Sequence, residues 1–208
     1  MLPALAKHPI SRRWLLLLLL IALPLLADDG YRFTFDNPSI GVTDAPFVLE
    51  YFSVVDCSPC RSFEINHLDL LLAQVDQGNV RIVFRDMPPS APALHQAIKV
   101  FCLQEFPDFV ARRIAEKRLG QAAPPLSHLR NKARARYSAC LEDVQPAQIM
   151  THNREAFDRL GFVGTPSFAL SARHHDPVIT RHFARPIDPQ QLIDAMHDMS
   201  AAGFTTQN

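Results

Sequence analysis

The 208-residue chain predicts an α/β fold ordered βαβ, helical block, ββα, and three observations predict it. Two short runs rich in β-branched and aromatic residues, 47–55 and 80–85, bracket a stretch whose apolar residues recur at helical spacing. Residues 93–160 carry helical patterns throughout. After Gly161 the pattern becomes strand-like again and then closes on an amphipathic run.

Taken in order, Tyr31, Phe33 and Phe35 alternate with Arg32 and Thr34, as in a half-buried strand. Asn37-Pro38-Ser39 and Gly41 mark a turn. Residues 47–55 then have the length of a buried strand, and Phe63, Ile65, Leu68, Leu71 and Leu72 place a helix behind it. Gly78-Asn79 ends that helix, and a second core strand at 80–85 is stopped by Pro88-Pro89. Breaks at Pro107, at 120–125 and near Pro146 divide the helical block into about four helices. Arg130, Lys132, Arg134 and Arg136 alternate by two, which spreads them around a helix and reads as a solvated face. Phe168-Ala169-Leu170 and Val178-Ile179-Thr180 flank a long polar turn at 171–177, a hairpin signal. Residues 189–199 form a closing helix with Leu192, Ile193 and Met196 on one face, and a frayed tail is expected from Ala201.

Between the first core strand and its helix lies Cys57-Ser58-Pro59-Cys60. This order puts Cys57 at a helix N-terminus, where free N–H groups and the positive end of the helix dipole favour a thiolate. The thiolate is the species that attacks a disulfide. The competing chemistry is half of a zinc site, which would need a second ligand pair. Cys102 and Cys140 lie far apart, and His67, His95 and His152 lack metal-ligand spacing to the CxxC. The cysteine pair can itself hold two electrons, so no metal and no organic cofactor is expected.

Residues 1–27 read as a signal peptide or an N-terminal anchor. Lys7, Arg12 and Arg13 precede an almost purely apolar run at 14–26 that includes six consecutive leucines. The run is short for a membrane span of ~20 residues. Ala27 is a candidate cleavage point, but Leu25 is not the small residue such a site prefers, so tethering to an inner membrane by residues 12–27 stays open. Four cysteines behind an export signal suit an oxidising compartment, here the periplasm. Lys and Arg together number 21 and Asp and Glu 21, a balance that excludes nucleic acid as an expected partner.

The order and motifs resemble the DsbA-like branch of the thioredoxin superfamily, over most of residues 37–199. Ala45-Pro46-Phe47 leading to Phe52-Ser53 and the CxxC is similar to that family's strand into its active site. Val163-Gly164-Thr165-Pro166-Ser167-Phe168 is similar to its Gly-Thr-Pro loop. His95 through Cys102, with Cys140-Leu141, resemble the ends of its inserted helical region. The resemblance implies a thioredoxin-like fold with an inserted all-α domain. The thioredoxin-like part would comprise 28–89 and 161–200, the insertion 90–160, and the tail 201–208. It also implies Cys57 as nucleophile, Cys60 as resolving thiol, and a substrate groove at Ser58, Pro59, Thr165 and Pro166. A cis peptide at Thr165–Pro166 would present the Thr165 backbone to an extended substrate strand. Cys102 and Cys140 are expected to form a structural disulfide, with two buried free thiols as the alternative.

Two departures from the family pattern bear on mechanism. Many relatives have an acidic residue six positions before the first cysteine; here that position is Tyr51, with Glu50 one earlier. A one-residue shift turns a side chain to the other face of a strand, so Glu50 serves as a proton relay only across a bulge. The second departure is the lack of a histidine between the cysteines; Pro59 matches reducing relatives, and Asp56 sets a negative charge beside Cys57. The expectation is an exported thiol–disulfide oxidoreductase, less oxidising than the strong oxidases. Its substrates would be cysteine-containing exported proteins, and its recycling partner a membrane or periplasmic redox protein. A reductase or isomerase, or a chaperone-like assembly factor, is the alternative on the same fold.

Overall fold

In the computed structural model, residues 35–117, 131–174, 178–184 and 187–204 are described. The leader at 1–27 and most of the alternation at 31–35 therefore lie outside the described residues. The elements are β1 (Ser39–Ile40), β2 (Phe47–Ser53), α1 (Ser58–Asn66), α2 (Leu68–Asp76) and β3 (Val80–Asp86). Four helices follow among the described residues: α3 (Leu94–Cys102), α4 (Phe109–Lys117), α5 (Asn131–Glu142) and α6 (Gln145–Arg159). Then come β4 (Ser167–Ala172), β5 (Ile179–Ala184) and α7 (Pro189–Phe204). This is a thioredoxin-like βαβ…ββα arrangement with helices inserted between β3 and β4.

The strands form one sheet in the order β1-β3-β2-β4-β5. The pair β2/β3 is parallel and in unbroken register from Phe47↔Val80 to Ser53↔Asp86. β4 runs antiparallel to β2 on its other side. β2 is thus the central strand, and the loop at its C-terminal end is where the CxxC begins. The segment read as a turn before it contains β1, whose Ser39 and Ile40 pair with Val83 and Ile82. The turn proper is at Gly41, with φ +100°, where a Cβ would approach the Val80 carbonyl oxygen to 2.7 Å.

The helix expected after the CxxC is two helices, broken at His67. The break lets Phe63 of α1 and Leu68 and Leu71 of α2 all enter the same core. That core joins Leu49, Tyr51, Ile82, Phe84, Phe168 and Leu170 of the sheet to Phe101 of α3, Tyr137 of α5 and Met196 of α7. The apolar core therefore runs continuously across the expected boundary at residue 90. Each fully buried ring or branched side chain in it contributes ~1.5–3 kcal/mol. The other face of the sheet carries a smaller cluster, Phe52, Met87, Phe157, Phe162 and Ala169, in which α6 supplies Phe157.

Pro146 sits in the first turn of α6, where its missing N–H leaves no bond unmade. Lys132 and Arg134 are exposed, whereas Arg136 is half-buried and ion-paired with Glu105. β4 and β5 pair from Ser167↔Ala184 to Ala172↔Ile179, so the hairpin takes residues 171 and 172 out of the expected turn. α7 continues past Ala201 to Phe204, where a frayed tail was expected. A disulfide joins Cys102 at the end of α3 to Cys140 in α5, with S–S 2.04 Å. Among the described residues no helix is long and apolar enough to cross a membrane.

Candidate active site

β2 leads into a tight turn in which the Cys57 N–H donates to the Val54 carbonyl at 3.2 Å. Cys57 then caps α1: its extended backbone precedes the helix, and its sulfur accepts from the Cys60 N–H at 3.1 Å. Pro59 lies in the first turn, where its lack of an N–H is harmless. Cys57 and Cys60 form a disulfide with Cα atoms 5.3 Å apart. The two sulfurs differ in access: Cys57 is half-buried and Cys60 is 0% exposed. Ser58 and Pro59 are exposed between them.

The loop before β4 meets this motif from the other side. Thr165–Pro166 is cis. The Thr165 carbonyl oxygen lies 3.6 Å from Cys57 Sγ, and the Thr165 hydroxyl donates to the same sulfur at 3.2 Å. Ser167 ties the loop by donating to the Gly164 carbonyl at 2.6 Å. Pro59, Ser62, Phe63, His67, Pro166 and Ile187 line a groove of ≈ 180 Å³ beside the disulfide. A second hollow starts at His67 and Ile187 and reaches Asp188 and Gln191. Asp56, expected to act on Cys57, has its carboxylate engaged by the hydroxyl and N–H of Ser90, at 2.6 and 3.3 Å. Among the described residues no group of three His, Cys, Asp or Glu is placed to hold a metal ion.

The structure corrects the reading of Glu50. β2 has no bulge: Glu50 is opposite Val83 on one side and Ala169 on the other, in regular register. Its carboxylate pairs with Arg85, whose guanidinium also reaches Asn153 of α6. Glu50 therefore faces the α6 side of the sheet, away from Cys60, and is not placed to relay protons to it.

A buried polar cluster that the sequence reading missed lies beneath the dithiol. Tyr51 is 1% exposed, its ring stacked on Phe168 with centroids 5.0 Å apart. Its hydroxyl donates to the Cys60 carbonyl at 3.3 Å, with the negative charge of Glu64 nearby. Burial, then the negative charge of Glu64, holds the Tyr51 hydroxyl well above its ordinary range, so it stays protonated. Glu64 is one turn beyond Cys60 on α1 and 1% exposed.

Arg113 of α4, 0% exposed, donates to Asp86 through Nη1 and Nη2 at 2.6 Å each. It donates to Glu64 at 3.2 and 3.1 Å and to the Ser53 hydroxyl at 3.1 Å. Its guanidinium also lies over the Phe84 ring at 4.7 Å. Burial opposes its charge, but Asp86 and Glu64 outweigh burial and hold the guanidinium above its usual range. The available signal was a charged residue inside an apolar helical pattern, Glu64 beside Phe63 and Arg113 beside Ile114. It becomes legible only once the phase of each helix is known.

A family model described as Thioredoxin matches residues 34–189. No curated protein matches the chain in sequence. Solved structures do. Wolbachia pipientis alpha-DsbA1 is 17% identical with TM-score 0.62, over 86% of this chain and 98% of that one. BdbD from Bacillus subtilis is 12% identical with TM-score 0.59, over 78% and 91%. The catalytic domain of Proteus mirabilis ScsC is 21% identical with TM-score 0.55, over 87% and 98%. These likenesses establish the fold, with its helices inserted between strands. With a CxxC capping the first helix and a family model spanning most of its length, the chain belongs to the thioredoxin family, as a DsbA-like thiol–disulfide exchange protein.

Proposed function

We propose that this protein is an exported thiol–disulfide oxidoreductase that exchanges disulfides with cysteines of other exported proteins. The observation that supports this most is the asymmetry of the couple: Cys57 is accessible at a helix N-terminus and Cys60 is sealed from solvent. Cys57 is the nucleophile. A substrate thiolate attacks Cys57 Sγ, the Cys57–Cys60 bond breaks, and a mixed disulfide forms; a second thiolate of the substrate then releases Cys57. Run in reverse, Cys57 attacks a substrate disulfide and Cys60 resolves it. A groove lined by Pro59 and Pro166, with Ser58 and Thr165 next to them in the chain, holds the substrate as an extended strand against the Thr165 backbone. Export is supported by the basic and leucine-rich segment at 1–27 and by the two disulfides.

The direction of electron flow has a specific structural argument. Two donors, the Cys60 N–H and the Thr165 hydroxyl, point at Cys57 Sγ, and Asp56 is engaged by Ser90. Donors at the sulfur stabilise the thiolate and hence the reduced form, which favours giving disulfides away. This weighs against the reducing reading drawn from Pro59 and Asp56. Trapping with Cys60→Ala tests the function: substrates accumulate as mixed disulfides on Cys57, whereas no trapping, or equal trapping by Cys57→Ala, overturns it. Equilibration with glutathione then reads the direction of the couple.

A further inference from the structure

We infer that Ser90 is a positioning residue for the redox couple: by holding the Asp56 carboxylate it keeps that charge from acting fully on Cys57, which raises the reduction potential of the pair. This rests on the assignment of Cys57 as nucleophile. Asp56 directly precedes Cys57. Neighbouring Cα atoms are about 3.8 Å apart, so every rotamer leaves the carboxylate within about 10 Å of the sulfur. A carboxylate at that range opposes the thiolate and so disfavours the reduced form. In the structure one oxygen of Asp56, Oδ2, accepts both the Ser90 hydroxyl at 2.6 Å and the Ser90 N–H at 3.3 Å. Two donors on one oxygen set their positive ends against the charge and hold the side chain to the loop after β3.

The position of Ser90 is set without Asp56. Ser53 and Asp86 face each other at the ends of β2 and β3, and the Met87 N–H donates to the Ser53 carbonyl at 2.9 Å. Pro88 and Pro89 then fix two φ angles before Ser90. Beyond it the Ala93 N–H closes the turn at 91–93 onto the Ser90 carbonyl at 2.9 Å. A rigid donor thus meets a carboxylate that could otherwise turn about its side-chain bonds. Asp56 and Ser90 are both exposed, so their bond matters less for stability than for where the charge is held.

The other groups around Cys57 are named readily. α1 presents the Cys60 N–H, and the loop before β4 presents the Thr165 hydroxyl and carbonyl. Arg61 follows the couple on α1, and Glu64, Asp86 and Arg113 form an ion-paired cluster beneath Cys60. All of these are common to the variants below, so a difference between variants reports the Asp56 charge. Thr165 donates to the sulfur itself, whereas Ser90 acts on it only through Asp56. In water-like surroundings one charge at about 7 Å changes an acid dissociation constant about threefold, and more where the dielectric is lower.

The test uses the full chain. Iodoacetamide labelling of reduced Cys57 is followed against pH, and the couple is equilibrated with glutathione, each at low salt and at about 1 M salt. At low salt Ser90→Ala lowers the acid dissociation constant of Cys57 about threefold, so the labelling midpoint moves up by about half a pH unit. The glutathione equilibrium moves about threefold toward the protein disulfide. Ser90→Thr, which restores a hydroxyl, gives wild-type values. Asp56→Asn moves both readings the opposite way, and adding Ser90→Ala to it changes nothing further. At about 1 M salt, where the screening length is about 3 Å, the shift in Ser90→Ala disappears, whereas a displaced loop would keep it. Wild-type readings in Ser90→Ala, the same shift in the Asp56→Asn background, or a shift indifferent to salt overturns the inference. Labelling of Cys60 before Cys57 in the wild type sinks the functional assignment and the role of Ser90 with it. Cys57 labelled first, with no effect of Ser90→Ala, sinks the role of Ser90 alone.

Discussion

Cys57 Sγ receives a hydrogen bond from the backbone at one side and from a threonine hydroxyl at the other. The backbone donor comes with the helix, so any residue that caps α1 with a sulfur would have it. The hydroxyl is specific to Thr165, 108 residues away in sequence. Its removal in Thr165→Val keeps the shape of the side chain and deletes one donor to a sulfur that becomes charged on reduction. We expect alkylation of reduced Cys57 at neutral pH to slow about tenfold, the equivalent of roughly 1.4 kcal/mol for one hydrogen bond to a charged group. Timed iodoacetamide labelling measures it, and an unchanged rate would show that the hydroxyl does not act on the thiolate. A motif scan finds both cysteines and Thr165, but not the bond between them, because neither segment specifies its distance from the other. Glu50 and Tyr51 make the same point. Their alternation was legible in the sequence, while the face each occupies followed only from an unbroken register of β2 with both neighbours.

The active-site helix is held by the inserted region through Arg113. One guanidinium on α4 joins Glu64 of α1, Asp86 at the end of β3 and Ser53 at the end of β2. Removing one partner of a buried ion pair strands the others in an apolar site, which costs about 3–5 kcal/mol. Arg113→Met should therefore lower unfolding free energy by roughly that amount in urea titrations. Joint replacement of Arg113, Glu64 and Asp86 by apolar residues of similar volume should recover most of the loss, since no charge is then left unpaired. A single variant as stable as wild type would mean that the cluster contributes little. The elements themselves were largely readable: strands at 47–55 and 80–85, helices with breaks at Pro107 and near Pro146, and the β4–β5 hairpin. The break at His67 and the short strand β1 were not, because both answer to the surfaces they pack against and carry weak local signals.

One apolar core unites sheet and inserted helices, with the Cys102–Cys140 disulfide inside it. Removing that bridge in Cys102→Ala/Cys140→Ala frees a loop with a sequence separation of 38. Chain entropy then gives a loss of about 4 kcal/mol, and with roughly 2–4 °C per kcal/mol for a domain of this size the Tm should fall by about 10 °C. Calorimetry measures it. Disulfide exchange below the new Tm should persist, because the bridge links α3 to α5 and does not line the groove. Equal Tm values for the two proteins would remove the bridge from the stability of the fold. The sequence by itself determined the βαβ…ββα order and the CxxC at a strand-to-helix junction, because hydrophobic period, turn residues and helix capping are local properties, while the Gly-Thr-Pro loop was implied by the family resemblance. Only the tertiary structure decided that Thr165 touches Cys57, that Glu50 faces away, and that Tyr51, Glu64 and Arg113 meet under Cys60. Those contacts join residues on separate elements, and a side chain's partners follow from strand register and helix phase once the elements are packed together.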